Sequence, residues 1–246
     1  MCLTVTMAAV LRPEVLERTL DSLHHYVLGP WGGPTRLVLN VDPVGAGTPA
    51  EVVAVARQWF ADVVVHHPER GSLNAAMAWL YVQPKDGDVF LHCEDDVEFQ
   101  RPVDLAAMLD AMARVPDLAY LQFPRRGFRD GDITSDHNLA HEWAGIGYGF
   151  HWRTGKYAMS FGPGLVRSIF AEVAGPLITP TPDPEVQFHL KNEDLMAWTS
   201  RWRYGTWAQP GDERAVRDIG KPARAAGGWE KFVSEHGTTW QKEGGA

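Results

Sequence analysis

Glu94-Asp95-Asp96 are the residues of this chain best placed to do chemistry. Adjacent carboxylates repel one another. A hard divalent ion such as Mg²⁺ or Mn²⁺ is the natural remedy, because it takes oxygen ligands and pairs readily with a diphosphate. On extended backbone Glu94 and Asp96 project to one side and Asp95 to the other. The spacing therefore offers a metal to Asp96, with Glu94 helping directly or through water, and leaves Asp95 to reach a ribose hydroxyl. A solvated acidic turn is the competing reading. The preceding stretch favours the site. Asp88-Val89-Phe90-Leu91-His92-Cys93 reads as a buried strand, and open α/β sheets hold their ligands at the carboxyl ends of such strands.

Asn192-Glu193-Asp194 is a second acidic group, at the start of a predicted helix. Carboxylates there are favoured by capping and by the helix dipole. Alternatively, Asp194 or Glu193 is a general base that deprotonates an acceptor hydroxyl. Arg12 follows the first predicted strand, and Arg70-Gly71 precedes a helix start. Both arginines are placed to meet phosphate oxygens, and Gly71 permits close backbone approach; a solvated arginine and a helix-start glycine would look alike in sequence. Three segments interleave cations with rings: 125–129, 151–153 and 201–204. Such patches bind phosphorylated or stacked ligands, or they are arginines snorkelling beside core rings. The first patch lies in an irregular region and is the stronger ligand candidate.

His66-His67 and His92 lack the spacing of a zinc site. No P-loop, nucleophile elbow or G-x-G-x-x-G follows the first strand, which disfavours NTPase, hydrolase and dinucleotide-binding chemistry.

The elements that must position these groups alternate. Strands are predicted at 3–10, 36–41, 63–66, 88–93 and 118–122. Helices are predicted at 14–26, 50–60, from 70–72 onward, and at 103–115. That alternation predicts an α/β fold with a mostly parallel sheet flanked by helices. After Phe123 the period fades, and 124–164 reads as a functional loop system or a β-hairpin excursion. Helices are predicted again at 165–173 and 192–201, with a Pro-rich connector at 176–184 and a short helix at 228–235. The expectation is a single domain over 1–246 with an irregular C-terminal half, divided at 123/124.

Composition sets outer limits. The chain has 246 residues, a net charge of −8 and 45% hydrophobic residues, enough for a sizeable core and unfavourable for broad nucleic-acid binding. Two cysteines in separate elements point to a reducing, cytoplasmic setting rather than a disulfide framework. No transmembrane segment is expected, and the apolar start of the chain reads as a strand rather than a secretion signal. The ten tryptophans should be mostly core, with a minority free to stack on a sugar or base.

Taken in order, several pieces resemble the GT-A nucleotide-sugar glycosyltransferases, in the style of the family-2-like group. They are Val5-Thr6 through Arg12-Pro13, Asp42 after the second strand, Arg70-Gly71-Ser72-Leu73-Asn74, the strand 90–99 with its Glu-Asp-Asp core, Gly162-Pro163-Gly164, Asn192-Glu193-Asp194, and the tail from Val216-Arg217-Asp218 to Trp240. The resemblance implies a GT-A-like, Rossmann-type fold. It also implies a Mn²⁺- or Mg²⁺-dependent enzyme that moves a sugar from a nucleoside diphosphate sugar, by family habit a UDP-sugar, to an acceptor hydroxyl with inversion. Asp96 then becomes the metal ligand, with Glu94 and Asp95 at the metal or ribose. Arg12 and Asp42 contact base and ribose, and Arg70, Gly71 and Asn74 line the nucleotide. Asp194 or Glu193 is the base, and Lys221, Arg224 and Lys231 close over the diphosphate. Where many members place a histidine after the acidic site, this chain offers Asp218 as a metal ligand, with His236 further on.

The rivals are a sugar-phosphate nucleotidyltransferase and a non-catalytic nucleotide- or sugar-binding module. The first is disfavoured because the loop after strand one carries no glycine for a phosphate cradle. The acceptor is left open: a glycan, a small molecule, a protein, or a hydroxylated base in DNA.

Overall fold

A computed structural model describes residues 2–83, 85–125, 137–140, 150–153, 161–208, 212–222, 228–234 and 237–242. The chain opens with strand β1 (Leu3–Leu11) and helix α1 (Pro13–Leu23), which runs on through a π turn (His24–Leu28) into the short α2 (Gly29–Trp31). Next come β2 (Thr35–Gly45), α3 (Pro49–Trp59), β3 (Val63–His66), α4 (Leu73–Val82), β4 (Val89–Glu94), β5 (Val97–Phe99), α5 (Leu105–Arg114) and β6 (Leu118–Gln122). The later elements are β7 (His137–Ala140), β8 (Phe150–Arg153), β9 (Gly164–Arg167), α6 (Ser168–Leu177), α7 (Pro184–Val186) followed by a π turn (Gln187–Lys191), α8 (Glu193–Thr199), β10 (Arg203–Trp207), β11 (Val216–Asp218), β12 (Trp229–Ser234) and β13 (Gly237–Lys242).

Helix starts are specified locally. Thr48 and Glu51 form a reciprocal capping box ahead of α3. The Ser72 and Asp104 side chains accept from Ala75 N and Ala107 N at the starts of α4 and α5.

Nine strands form one sheet in the order β3-β2-β1-β4-β9-β6-β10-β8-β7. β1, β2, β3 and β4 are mutually parallel, as are β6 and β10, while β9 runs antiparallel between β4 and β6. Both faces are covered, so the strands read as near-continuous apolar runs. On one face Leu3, Val5, Met7, Leu37, Leu39, Leu91 and Cys93 pack with Leu16 and Leu20 of α1 and Met108 of α5. On the other, Val38, Phe90 and Val166 pack with Met77, Leu80 and Tyr81 of α4 and with Phe170 of α6.

The first 122 residues follow the expected alternation. The second half departs from it in two places. Residues 165–167 belong to β9 rather than to a helix, and the helix begins at Ser168. A strand of four residues buried on both faces shows no alternation, so its apolar residues merge with those of the following helix. Gly164 marks the junction: a Cβ there would stand 2.7 Å from Leu121 O, so only glycine lets β9 lie so close to β6. The predicted helix at 228–235 is instead the hairpin β12–β13, consistent with its aromatic and β-branched residues. The 201–204 patch is structural: Tyr204 is buried in β10 and Arg203 pairs with Asp117 at 2.8 Å. Because β9 sits between β4 and β6, residues beyond 123 build the middle of the sheet.

Candidate active site

The parallel register brings three strand ends level. Ala8 pairs with both Asn40 and Glu94, and Val10 pairs with Asp42. A cleft of about 640 Å³ opens there, at the carboxyl edge of β1, β2 and β4, a size that suits a small organic ligand. Ala8, Val10, Arg12, Asp42, Val44 and Gly71 line it from β1, β2 and the approach to α4, and Glu94, Asp95 and Asp96 line it from the end of β4. Arg125, Phe161, Asp183, Glu185, Asp218 and Lys221 complete the wall. A larger groove of about 1020 Å³ lies between α1 and β5; in its lining Arg18 pairs with Glu98, which also pairs with Arg217, and Arg101 pairs with Asp212.

Glu94 ends β4, while Asp95 and Asp96 form a turn before β5, so strand alternation does not carry through the triplet. Asp95 turns inward. Its Oδ2 accepts from Val10 N at 3.1 Å and its Oδ1 from Arg12 Nη2 at 2.9 Å. The same Arg12 nitrogen donates to Asp96 Oδ2 at 3.2 Å. Arg12 is thus the counterion of the acidic turn, and Asp95 holds Arg12 and the end of β1. Both also line the cleft. Burial first, and then the neighbouring Asp96, push the Glu94 carboxyl up; Arg125, with Nη2 3.6 Å from Glu94 Oε2, opposes that rise. Burial also pushes Asp95 up, against the pull of Arg12. Gly162 leaves room for Arg125: a Cβ there would stand 3.0 Å from its Nη1.

At the end of β2, Asp42 accepts from Asn40 Nδ2 at 2.8 Å and from Ser72 N at 2.9 Å. Those bonds hold the β2 end against the start of α4. Asn40 Oδ1 is fixed in turn by His66 Nδ1 at 2.8 Å, and His66 stacks on Trp79. Burial raises the Asp42 carboxyl above its ordinary range. Gly71 forms part of the wall, and a Cβ there would meet Val44 Cγ2 at 2.8 Å. Arg70 is exposed and does not line the cleft. Asn74 is also absent from the wall: its buried amide donates to Thr179 O at 2.9 Å and to Pro182 O at 2.6 Å. Neither position supports the expected contact with a nucleotide.

Glu193 and Asp194 are not among the residues that line the cleft. Both are exposed in the first turn of α8, outside the cleft wall. Asn192 caps that helix through Leu195 N, so the acids there serve the helix start. The carboxylates that do face the cleft from this side are Asp183 and Glu185. Glu185 Oε1 accepts from Phe161 N at 3.1 Å, and Glu185 N donates to Asp183 Oδ1 at 3.0 Å. The sequence carries a signal for them: acids alternating with prolines in Pro182-Asp183-Pro184-Glu185 mark a stiff connector holding charged groups.

The tail returns to the site. β11 pairs antiparallel with β5, placing Asp218 opposite Val97, and Ile219 N donates to Asp96 O at 2.8 Å. Asp218 and Lys221 thereby reach the cleft wall. Arg224 and His236 lie outside the described residues, and for Lys231 only its place in β12 is described. Among the described residues, Phe161 is the one aromatic ring on the wall and no tryptophan lines it.

Among the described residues, no three His, Cys, Asp or Glu side chains are grouped to hold a metal by themselves. The donor set nevertheless fits a divalent ion of the Mg²⁺ or Mn²⁺ type, which is commonly held by one or two carboxylates with water and substrate phosphates. Glu94 Oε2 is buried without a hydrogen-bond partner, its charge faced by Arg125 Nη2 at 3.6 Å, so it keeps lone pairs that a divalent ion could use.

No family model matches the sequence, and no curated protein matches it. Solved structures do resemble it. TarS from S. aureus aligns with a TM-score of 0.57 at 12% identity, over 89% of this chain and 37% of TarS. GalNAc-T7, solved with UDP, GalNAc and Mn²⁺, aligns with a TM-score of 0.56 at 13% identity, over 99% of this chain and 45% of that one. The chain thus spans less than half the length of either. CMP:2-keto-3-deoxy-manno-octonic acid synthetase, complexed with CTP, aligns with a TM-score of 0.50 over 92% of this chain and 95% of its own. Level strand ends, an acidic turn after the central parallel strand, and these likenesses together give the chain a GT-A-like nucleotide-sugar glycosyltransferase fold.

Proposed function

We propose that this chain is a metal-dependent glycosyltransferase that moves a sugar from a nucleoside diphosphate sugar, a UDP-sugar in the first instance, to an acceptor hydroxyl with inversion. The observation that supports this reading is one cleft lined by two groups of acids: Glu94-Asp95-Asp96 at the strand ends, and Asp183 with Glu185 from the segment before α8. Asp96, with Glu94 and Asp218 beside it, would hold a divalent cation, which supplies positive charge against the departing diphosphate. Asp42, Val44 and Gly71 form the nucleoside side. Arg125 and Lys221 add fixed positive charge near the leaving group. Asp183 or Glu185 takes the proton of the acceptor hydroxyl. The acceptor oxygen bonds to the anomeric carbon as the carbon–oxygen bond to the diphosphate breaks.

The test is release of UDP from a panel of UDP-sugars with Mn²⁺, followed by variants. Asp96→Ala should lose metal-dependent UDP binding in calorimetry. Asp183→Asn or Glu185→Gln should keep UDP binding and lose turnover by about 10²–10⁴-fold. An Asp96→Ala protein with parental activity would discard the assignment.

The synthetase likeness, which matches this chain in length, favours a second reading as a sugar nucleotidyltransferase. Against it, the segment after β1 passes through Arg12 directly into Pro13 of α1 and holds no glycine to cradle a triphosphate. Release of pyrophosphate from CTP or UTP, with no release of UDP from UDP-sugars, would reverse the choice.

A further inference from the structure

We propose that Asn74 and Gln187 are positioning residues that fix the loop carrying Asp183 and Glu185 relative to the start of α4. The inference rests on the transferase reading above but concerns side chains that touch neither donor nor acceptor. Both are buried, Asn74 3% exposed and Gln187 0%. Gln187 Nε2 donates to Thr179 O at 2.8 Å and to Pro182 O at 2.7 Å, the same two carbonyls that Asn74 Nδ2 bonds. Gln187 Oε1 accepts from Thr179 N, Thr179 Oγ1 and Asn192 Nδ2 at 2.8, 2.9 and 3.1 Å. Every polar atom of the Gln187 amide is used, which is how a buried polar network specifies one geometry rather than several.

The placement explains why such a network is here. Asn74 lies in the first turn of α4, three residues after Gly71 on the donor wall and just past Leu73, which also lines the cleft. The carbonyls it binds belong to the 179–182 loop, which leads into Asp183 and Glu185 of the same cleft. A displacement of the loop by about 1 Å would take a base out of reach of the acceptor proton, a misplacement that costs on the order of 100-fold in rate. The network thus ties the donor-binding end of α4 to the carboxylates that act on the acceptor.

The experiment uses Asn74→Leu, with Gln187→Met as the second variant should the first fail to fold. Two readouts are needed. In donor turnover, Asn74→Leu should lower kcat by about 10–100-fold and leave donor KM within about twofold. Placed in an Asp183→Asn/Glu185→Gln background, it should lower the rate no further, because it acts only through those carboxylates. In hydrogen exchange, amides of the 178–187 segment should lose protection in Asn74→Leu, while β1 and β4 keep theirs. An additive rate loss, a change confined to KM, or unchanged exchange in the segment overturns the proposal. Should the parent release no UDP from any donor, the transferase reading fails, and the exchange result alone then upholds or overturns the link between α4 and the loop.

Discussion

Replacing Arg12 by Met isolates the role of the guanidinium, because methionine keeps most of the apolar stem. Arg12 Nη2 lies 2.9 Å from Asp95 Oδ1 and 3.2 Å from Asp96 Oδ2, and the three side chains are only 14%, 6% and 13% exposed. Removing the cation leaves Asp95 as a buried charge whose remaining donor is Val10 N. Breaking a buried pair in this way costs about 3–5 kcal/mol, a large share of a typical stability of about 5–15 kcal/mol. For a chain of this size that loss corresponds to a fall in Tm of roughly 6–20 °C. Asp95→Asn alone should cost less, since Arg12 keeps Asp96 as a partner. The Arg12→Met/Asp95→Asn double variant should be more stable than Arg12→Met by at least about 2 kcal/mol, because the orphaned charge is gone. Urea unfolding at constant m-value, without metal or nucleotide, reads all four proteins. If the two substitutions add within about 0.5 kcal/mol, the counterion role is refuted and Arg12 returns to candidacy as a phosphate ligand.

Gly71→Ala should weaken UDP binding by at least about tenfold, equivalent to about 1.4 kcal/mol, since its Cβ would press on Val44 at the donor wall; unchanged affinity in calorimetry would move the nucleoside elsewhere. Arg167→Met should destabilise by about 3 kcal/mol or more, because the guanidinium serves Leu118 O, Met112 O and Val115 O behind β9; a loss under 1 kcal/mol in urea unfolding would show that those carbonyls find other donors. Lys85 gives a pH dependence. Burial lowers its ammonium to about 8 from an ordinary 10.5, so between pH 8 and 10.5 the unfolded chain binds the proton that the folded chain has released, and this group makes stability rise with pH there. The stability of the parent relative to Lys85→Met should therefore increase from pH 8 to pH 10, and a flat difference would contradict the burial.

The acidic turn was legible because its chemistry and its strand are contiguous in sequence: 89–94 is apolar enough to be a strand in any α/β sheet, and acids at its end have one place to go. Asp42, Gly71 and Asp218 were legible for a similar reason, each standing at the edge of a recognisable element. The second acidic group was not. Glu193-Asp194 and Asp183/Glu185 are both acid pairs near helix starts, and local sequence cannot say which pair faces a cavity. Long-range bonds from Asn74 and Gln187 decide it by fixing the 179–182 loop.

Local pattern alone thus determined the alternating strands and helices of the first half, the burial of β1, β2 and β4, and the gathering of carboxylates at their ends. Those properties follow from side-chain periodicity and strand direction, which need no distant partner. Tertiary structure alone decided that β9 enters the middle of the sheet, that Arg12 neutralises Asp95 and Asp96, and that Asp183 and Glu185 line the same cleft while Glu193 and Asp194 do not. Each of these depends on residues 40 or more positions apart in the chain meeting in space, and such pairings are chosen by the packing of the whole core rather than by any segment of it.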